Sequence, residues 1–205
     1  MKKIPLLLFM LITFSVYSKN KIDSTYTPYK NHLHAYYGQF NFQQFITIYV
    51  ESFRGVFNYG TQDSVMFNLR WSGSHGLSYT RSLGKKCELG IDYNYCLIKS
   101  YYTNPDDFYD NTDTKYHFNN VGAIVRVNYL NRKIFNLYGG ATLGLGIWTI
   151  KEIKAATLAS NRDTGVRANW HINPIGLCIG KRVSGYLELG LGHKGLINAG
   201  LRVGF

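Results

Sequence analysis

Apolar and polar residues alternate along most of the chain with a period of two. The alternation is clearest in four segments, at 87–97, 121–129, 135–147 and 197–205. In each of them the odd positions are mostly apolar or aromatic, and the even positions are mostly polar or glycine. Successive side chains of a strand point to opposite faces, so this pattern predicts β-strands whose two faces meet different media.

Turn signals and polar loops divide the chain into eight predicted strands. Short turns alternate with longer loops, and the connection at 192–195 is read as a tight turn. The strands are predicted at 31–38, 65–82, 86–102, 115–130, 133–150, 165–181, 185–192 and 195–205. An even number of strands, with short turns at one end and long loops at the other, is typical of outer-membrane barrels.

The alternative, a soluble sandwich, would bury the apolar face in a core. Three features favour a membrane barrel. Many strands exceed the roughly ten residues that cross a bilayer at a tilt, the polar face is rich in glycine, and the chain opens with an export signal. Charged residues make up only 17% of the sequence, with 21 glycines. We therefore expect an all-β protein, an eight-stranded antiparallel transmembrane β-barrel with short periplasmic turns.

The N-terminus is predicted to be a removable signal peptide. Lys2 and Lys3 precede an apolar stretch at 4–17, and a cut is plausible after Ser18. We expect residues 1–18 to be the signal, 19–30 a periplasmic segment, and 31–205 the barrel. The full chain carries a formal charge of +11, but its basic residues form no long run. Neither this pattern nor export favours a nucleic-acid partner.

Aromatic residues fall at both predicted borders of the apolar face. Such rings are expected where a barrel meets lipid head groups. Phe67 and Trp170 also lie towards the long-loop end. The predicted interface aromatics are Trp71, Tyr79, Tyr101, Tyr129, Phe135 and Phe205.

One predicted strand breaks the alternation. Between 165 and 181 the apolar positions are even at first and odd later, and the change falls at Asn173 and Pro174. Proline cannot donate to the hydrogen-bond ladder, and one extra residue restores the facing. We therefore predict a β-bulge at this point.

The last third of the chain contains three motifs: NPIG at 173–176, YLELGLGHKGL at 186–196 and AGLRVGF at 199–205. With these motifs the chain resembles the small eight-stranded outer-membrane β-barrel proteins of Bacteroidota-type bacteria. The terminal Phe205, preceded by apolar residues at alternate positions, looks like the signal that such barrels present to the outer-membrane insertion machinery. The resemblance implies the cell outer membrane as location and says little about activity.

Several charged residues fall on the predicted inward face. Buried charge must be paired, so we expect ion pairs across the lumen, and Glu188 with Arg202 because their strands form a hairpin. The network would be structural, or alternatively a path for protons or ions. Its predicted members are Arg70, Glu88, Asp92, Arg126, Glu188 and Arg202.

The first long loop contains a helical pattern. Asn41 and Gln44 form a plausible capping box, and Gly55 a plausible stop. The apolar side would pack on the barrel mouth, or alternatively lie in the lipid interface or dock a partner. Apolar residues recur at steps of three and four, at Phe42, Phe45, Ile46, Tyr49 and Phe53.

Neither the cysteines nor the acidic loop predicts a metal site or a cofactor. Cys87 and Cys96 lie about 30 Å apart on one strand and cannot bond to each other. With Cys178 they are read as small buried or lipid-facing side chains. The acidic residues Asp106, Asp107, Asp110 and Asp113 lack the spacing of a calcium loop and are read as a solvated loop.

These observations favour a monomeric outer-membrane barrel with a filled lumen and a structural or surface-interaction role through its loops. The alternatives are a narrow passage for small solutes or hydrophobic molecules, and a lipid A-modifying enzyme. The enzyme would need Ser, His and a carboxylate together, yet Ser72 and Ser74 are predicted inward and His75 outward. The expected partners are outer-membrane lipids, lipopolysaccharide and the insertion machinery.

Overall fold

The chain folds into a closed barrel of eight antiparallel strands, in which each strand pairs with its neighbours in sequence and the last pairs with the first. The computed structural model describes residues 29–58, 66–103, 111–154 and 160–205, so the predicted signal peptide lies outside the described residues. The predicted fold class is confirmed. The strands are β1 (Asn31–Gln39), β2 (Met66–Leu83), β3 (Cys87–Thr103), β4 (Asn111–Asn131), β5 (Phe135–Lys154), β6 (Ser160–Gly180), β7 (Val183–Gly192) and β8 (Ile197–Gly204), and the helix α1 (Phe42–Asn58) joins β1 to β2.

The alternation in the sequence becomes the two faces of the barrel wall. In β7, Leu187 and Leu189 are 46% and 48% exposed, whereas Glu188 between them is 2% exposed. The same contrast holds round the ring, because outward leucine, isoleucine and valine are exposed while inward polar residues are buried. The core of this protein is thus mostly polar, with two small apolar clusters around Tyr138 and Phe118, and its outer surface is apolar, the reverse of a soluble domain. No helix in the described part of the chain is long and apolar enough to span a membrane.

The wall is higher on one side than on the other. β7, β8 and β1 have 10, 8 and 9 residues, whereas β2 to β6 have 17 to 21. Two predicted strand starts, at 115 and 165, were therefore too late, because β4 begins at Asn111 and β6 at Ser160. At these two strand starts, 111–114 and 160–164, both faces are polar, so strand pairing continues there without any alternation to reveal it.

Register shifts adjust which residues face inward. The predicted bulge in β6 is confirmed, because Ile172 and Ile175 pair with Leu191 and Leu189 of β7 across a register shift. A second shift between Trp71 and Ser74 of β2 was not predicted. This shift reverses which side chains of the upper part of β2 face outward, so that Arg70 points outward and Trp71 inward.

The first and last strands close the ring by pairing along their whole length, from His32 with Gly204 to Gln39 with Ile197. The Asn31 amide donates to the Phe205 carbonyl at 3.0 Å, and the Phe205 amide donates back to Asn31 at 2.9 Å. Next to this seam, the Ser82 hydroxyl donates to the Tyr29 carbonyl at 3.0 Å. The beginning and the end of the barrel therefore meet at one edge of the wall.

Candidate functional site

The lumen contains three buried ion pairs, stacked along the barrel axis. In the lowest, Arg202 Nη2 lies 2.7 Å from Glu88 Oε1. The Thr80 hydroxyl donates to the other carboxylate oxygen at 3.1 Å, and the Asn128 amide donates to Glu88 at 3.4 Å. Glu88 is only 1% exposed, so its charge is satisfied entirely by side chains of the wall.

The middle pair joins Arg126 and Glu188 across the lumen. Arg126 Nη2 lies 3.2 Å from Glu188 Oε1, and the Tyr138 hydroxyl donates to the same oxygen at 2.9 Å. The guanidinium also bonds the His34 ring at 2.7 Å and stands over the rings of Tyr138 and Tyr186, at 5.4 and 6.0 Å from their centroids. A guanidinium held by a carboxylate, an imidazole and two aromatic faces fills the centre of the barrel.

The upper pair joins Lys194 and Asp92. Lys194 Nζ lies 2.8 Å from Asp92 Oδ1, and the Tyr36 hydroxyl donates to both carboxylate oxygens at 3.1 and 3.2 Å. His193 Nε2 lies 3.6 Å from Asp92 Oδ2, and Lys194 Nζ stands 4.9 Å from the centre of the Tyr36 ring. In the described lumen these three carboxylates each pair with one cation, and a fourth inward cation, Arg167, stands 5.5 Å from the centre of the Phe118 ring.

Five of the six residues predicted for the lumen lie in these layers. The exception is Arg70, which is exposed and pairs with Lys99 on the outer face, because the shift between Trp71 and Ser74 turns it outward. The predicted pair of Glu188 with Arg202 is also wrong. Glu188 lies opposite Asn198, and Arg202 is four residues further along β8, which places it beside Glu88 instead.

Sequence reasoning missed His193 and Lys194 because residues 192–195 were read as an ordinary tight turn. The connection between β7 and β8 instead folds into the barrel, where His193 and Lys194 are 2% and 1% exposed. Gly192 and Gly195 flank it with φ angles of 135° and 125°, and a Cβ on Gly195 would collide with the Gln39 carbonyl. The sequence feature that could have indicated this inward connection is a pair of glycines that flanks two basic residues.

The helix α1 begins with the predicted capping box. The Gln44 amide donates to Asn41 Oδ1 at 2.8 Å, and the Asn41 amide donates to Gln44 Oε1 at 2.9 Å. The Asn41 side-chain amide also lies 3.2 Å from Cys96 Sγ in the upper lumen. Gly55 does not stop the helix, which continues to Asn58.

The helix α1 turns its polar face towards the lumen, whereas the first expectation from the sequence was that its apolar side would pack on the barrel mouth. The polar residues Gln43, Gln44 and Thr47 are 1%, 3% and 4% exposed. The predicted apolar face points away from the lumen and is largely exposed, while the side chain of Phe53 lies outside the described ones. Its described members are Phe42 at 45%, Phe45 at 48%, Tyr49 at 63% and the half-buried Ile46.

The predicted interface aromatics separate into two groups. Those near the short turns are exposed or half-buried on the outer wall, at Tyr79, Tyr129, Phe135 and Phe205. At the other end Trp71 was misplaced, because it pairs with the buried, inward Ile98 and therefore shares its face. Tyr101 is half-buried on the outer face, one outward step beyond Lys99.

Phe42 and Trp170 supply aromatic rings where the upper border of the apolar wall meets the helix. Trp170 is 41% exposed on the outer face of β6, and its ring lies 6.4 Å from that of Phe42. The first turn of α1 is thus continuous with the apolar outer wall.

A serine and a histidine lie in contact at the lower end of the lumen, but their arrangement with the nearby carboxylate is not that of a catalytic triad. His32 Nε2 lies 3.2 Å from the Ser82 hydroxyl and 4.0 Å from Glu88 Oε1, so the serine and the carboxylate approach the same ring nitrogen. A triad places them on opposite nitrogens. The Ser82 hydroxyl also donates to the Tyr29 carbonyl.

The remaining candidates are placed as follows. The predicted acidic loop at 106–110 lies outside the described residues, and Asp113 is ion-paired with Lys115 at 3.1 Å. Cys96 and Cys178 are buried in the wall, and Cys87 is half-buried. In the described segments no three His, Cys, Asp or Glu side chains are grouped so as to hold a metal ion.

The chain is similar to two solved structures of Ail, the attachment invasion locus protein of Yersinia pestis. One, in complex with the heparin analogue sucrose octasulfate, shares 10% sequence identity with a TM-score of 0.45, over 86% of this chain and 99% of that one. The other shares 9% identity with a TM-score of 0.40, over 86% and 95%. No protein-family model matches the chain. No curated protein matches it either.

Proposed function

We propose that this protein is a monomeric outer-membrane barrel with an occluded lumen, and that it acts as a structural or surface-interaction protein through its extracellular side. The apolar outer wall supports the membrane location. Exposed leucine, isoleucine and valine side chains occur on all eight strands, and such a surface is stable only against lipid. The location in turn implies outer-membrane lipids, lipopolysaccharide and the insertion machinery as partners.

The stack of ion pairs is the observation that carries the occluded lumen. Arg126 and Lys194 are each 1% exposed and project into the centre of a ring of eight strands. A barrel of this size encloses little more than its own side chains. The inward connection at 193–194 and the buried polar face of α1 add to this filling from above.

The exposed face of α1 supports a contact with the outer leaflet. The nine residues of β1 climb about 23 Å at the usual rise and tilt, which is close to the height of an apolar barrel belt. The helix starts just above that level, and its apolar side continues the wall through Phe42 and Trp170. We therefore place Phe45 and Tyr49 in the lipid interface.

Two measurements test the proposal. The mature protein should sediment with membranes and need detergent for extraction, because its apolar wall is covered by lipid. In planar bilayers it should give no discrete conductance steps, while a known large porin inserted in parallel serves as the positive control. Solubility without detergent would overturn the membrane location, and reproducible steps would replace the occluded lumen with a narrow passage.

A further inference from the structure

Five basic residues form an unbroken row across five neighbouring strands. Each is the direct pairing partner of the next in the antiparallel register, from β2 to β6. The row consists of Arg70, Lys99, Lys115, Lys151 and Arg162.

The row lies on the outer face of the wall. Lys99 lies between the buried residues Ile98 and Ser100, and Lys115 between Thr114 and Tyr116, which are buried as well. Because side chains alternate along a strand, both lysines point away from the lumen. Directly paired residues share a face, so the other three members point outward too, and all three are exposed.

The row lies just above the apolar part of the wall. Lys99 is the outward residue immediately after Leu97, and Lys151 follows Ile147 with only Thr149 between them on that face. Each outward step along a strand climbs about 5 Å at the usual rise and tilt. The cations therefore lie about 5–10 Å above the apolar surface on these strands, at the depth of lipid head groups.

Few carboxylates neutralise the positive charge of the row. Like charges placed directly opposite each other in a sheet are destabilising. Among the described residues only Lys115 has a carboxylate partner, Asp113 at 3.1 Å. Repulsion of this kind is tolerated where an external anion offsets it.

We propose that this row binds the phosphate groups of an anionic lipid in the outer leaflet. The inference rests on the proposed membrane location, because it needs lipid against the outer wall. Arginine and lysine form charge-assisted hydrogen bonds with phosphate oxygens, and each basic residue near a membrane surface adds to the attraction for anionic lipid. A lipid fits better than a soluble glycan, because the cations continue upward from a surface that acyl chains cover.

The test compares lipid binding by three forms of the full chain in a non-ionic detergent. They are the unchanged protein, the variant Lys99→Gln with Lys151→Gln, and a control with Lys133→Gln and Lys181→Gln. The control removes the same charge from exposed positions at the short-turn end. Native mass spectrometry would measure binding of diphosphorylated lipid A, of its dephosphorylated form, of a soluble sulfated glycan and of inorganic phosphate.

The expected result is that the row variant binds diphosphorylated lipid A about tenfold to thirtyfold more weakly, since two surface cations are lost, while the control binds as the unchanged protein does. The dephosphorylated lipid should not distinguish the three forms. Circular dichroism spectra and melting curves of the three forms check folding, and the row variant should melt no lower than the unchanged protein because repulsion is relieved.

Three results would overturn the inference. The row variant could bind lipid A as tightly as the unchanged protein. The soluble glycan could show the same tight, row-dependent binding, which would assign the row to a soluble polyanion. Inorganic phosphate alone could reproduce the effect, which would make the site one for a free anion. If the protein needs detergent and still gives one of these results, only the lipid site fails; if it is soluble without detergent, the proposed membrane location fails as well.

Discussion

Lys194 shows how one buried side chain can hold a connection inside a barrel. The residue lies between β7 and β8, yet its ammonium reaches Asp92 of β3 at 2.8 Å. A buried ion pair need not be more stable than an apolar pair of the same shape, but removal of one partner leaves an uncompensated charge. The pair therefore fixes where the connection lies, and its loss has a measurable cost.

The variant Lys194→Met tests this at the level of the single residue. It should lower the free energy of unfolding by about 3–5 kcal/mol, because Asp92 would keep a buried charge without its cation. The measurement is urea unfolding in detergent micelles, followed by tryptophan fluorescence. Lys181→Met, at an exposed position in a short turn, is the matched control.

A second substitution at the partner separates charge from packing. Asp92→Asn added to Lys194→Met should recover part of the lost stability, because the double variant no longer buries a net charge. Equal stability of Lys194→Met and the control would show that the buried pair does not hold the connection.

At the scale of elements, α1 is an amphipathic helix that turns its polar face inward. The upper lumen holds an apolar cluster of Cys96, Ile98, Tyr116 and Phe118. The Asn41 side-chain amide at the start of α1 reaches Cys96 there, and the helix buries Gln43 and Thr47 rather than Phe45. In a water-soluble protein this arrangement would expose apolar side chains at a cost. Beside a bilayer, lipid covers the apolar face of the helix while the barrel buries its polar face.

Tryptophan placed at Phe45 would report the depth of the helix. In a chain whose native tryptophans are replaced by phenylalanine, Phe45→Trp should be quenched strongly by lipids brominated near the head group, because the side chain contacts the interface. Ser160→Trp, exposed on the outer face of β6 one outward step above Arg162 and the basic row, should be quenched weakly. Equal quenching at the two positions would remove α1 from the membrane.

The bulge in β6 makes a prediction about register. Deletion of Pro174 should abolish folding, because one half of the strand would have to turn its apolar side chains, such as Ile175 and Ile179, into the lumen. Pro174→Ala keeps the extra residue and should fold normally. The compact fraction on unheated gels measures both variants, and a folded deletion variant would show that the bulge is dispensable.

The sequence alone identified the strand segments whose two faces meet different surroundings. It did not reveal the segments whose two faces are alike. Alternation located all eight strands and the bulge in β6, but it could not find the upper ends of β4 and β6, where both faces are polar. It also could not pair Glu88 with Arg202 or Arg126 with Glu188. These contacts cross the lumen and depend on the stagger of the whole ring, which no single hairpin reveals.

At the scale of the whole molecule, the wall divides into a lower belt and an upper rim. The short strands β7, β8 and β1 end where the helix begins, whereas β2 to β6 continue beyond the apolar surface and carry the basic row. The lower belt encloses the ion pairs. The upper rim meets water on its outer side, so its backbone hydrogen bonds are less protected.

Hydrogen exchange in lipid nanodiscs should reveal this division. The amides of β5 near Leu143 and Leu145 should exchange much more slowly than those of Lys151 and Glu152 on the same strand, because lipid excludes water from the lower segment. Mass spectrometry of peptides from the two segments measures the difference. Similar rates along the strand would mean that the rim is as protected as the belt.

The seam between β1 and β8 has a consequence for biogenesis. The strand that completes the cylinder, β8, is the last of the eight along the chain, and its partner β1 is the first. Until both are present, the growing sheet has two open edges whose amides and carbonyls lack partners, which lipid does not tolerate. A chain that lacks β8 therefore cannot close its ring, and its two open edges would exclude it from the bilayer.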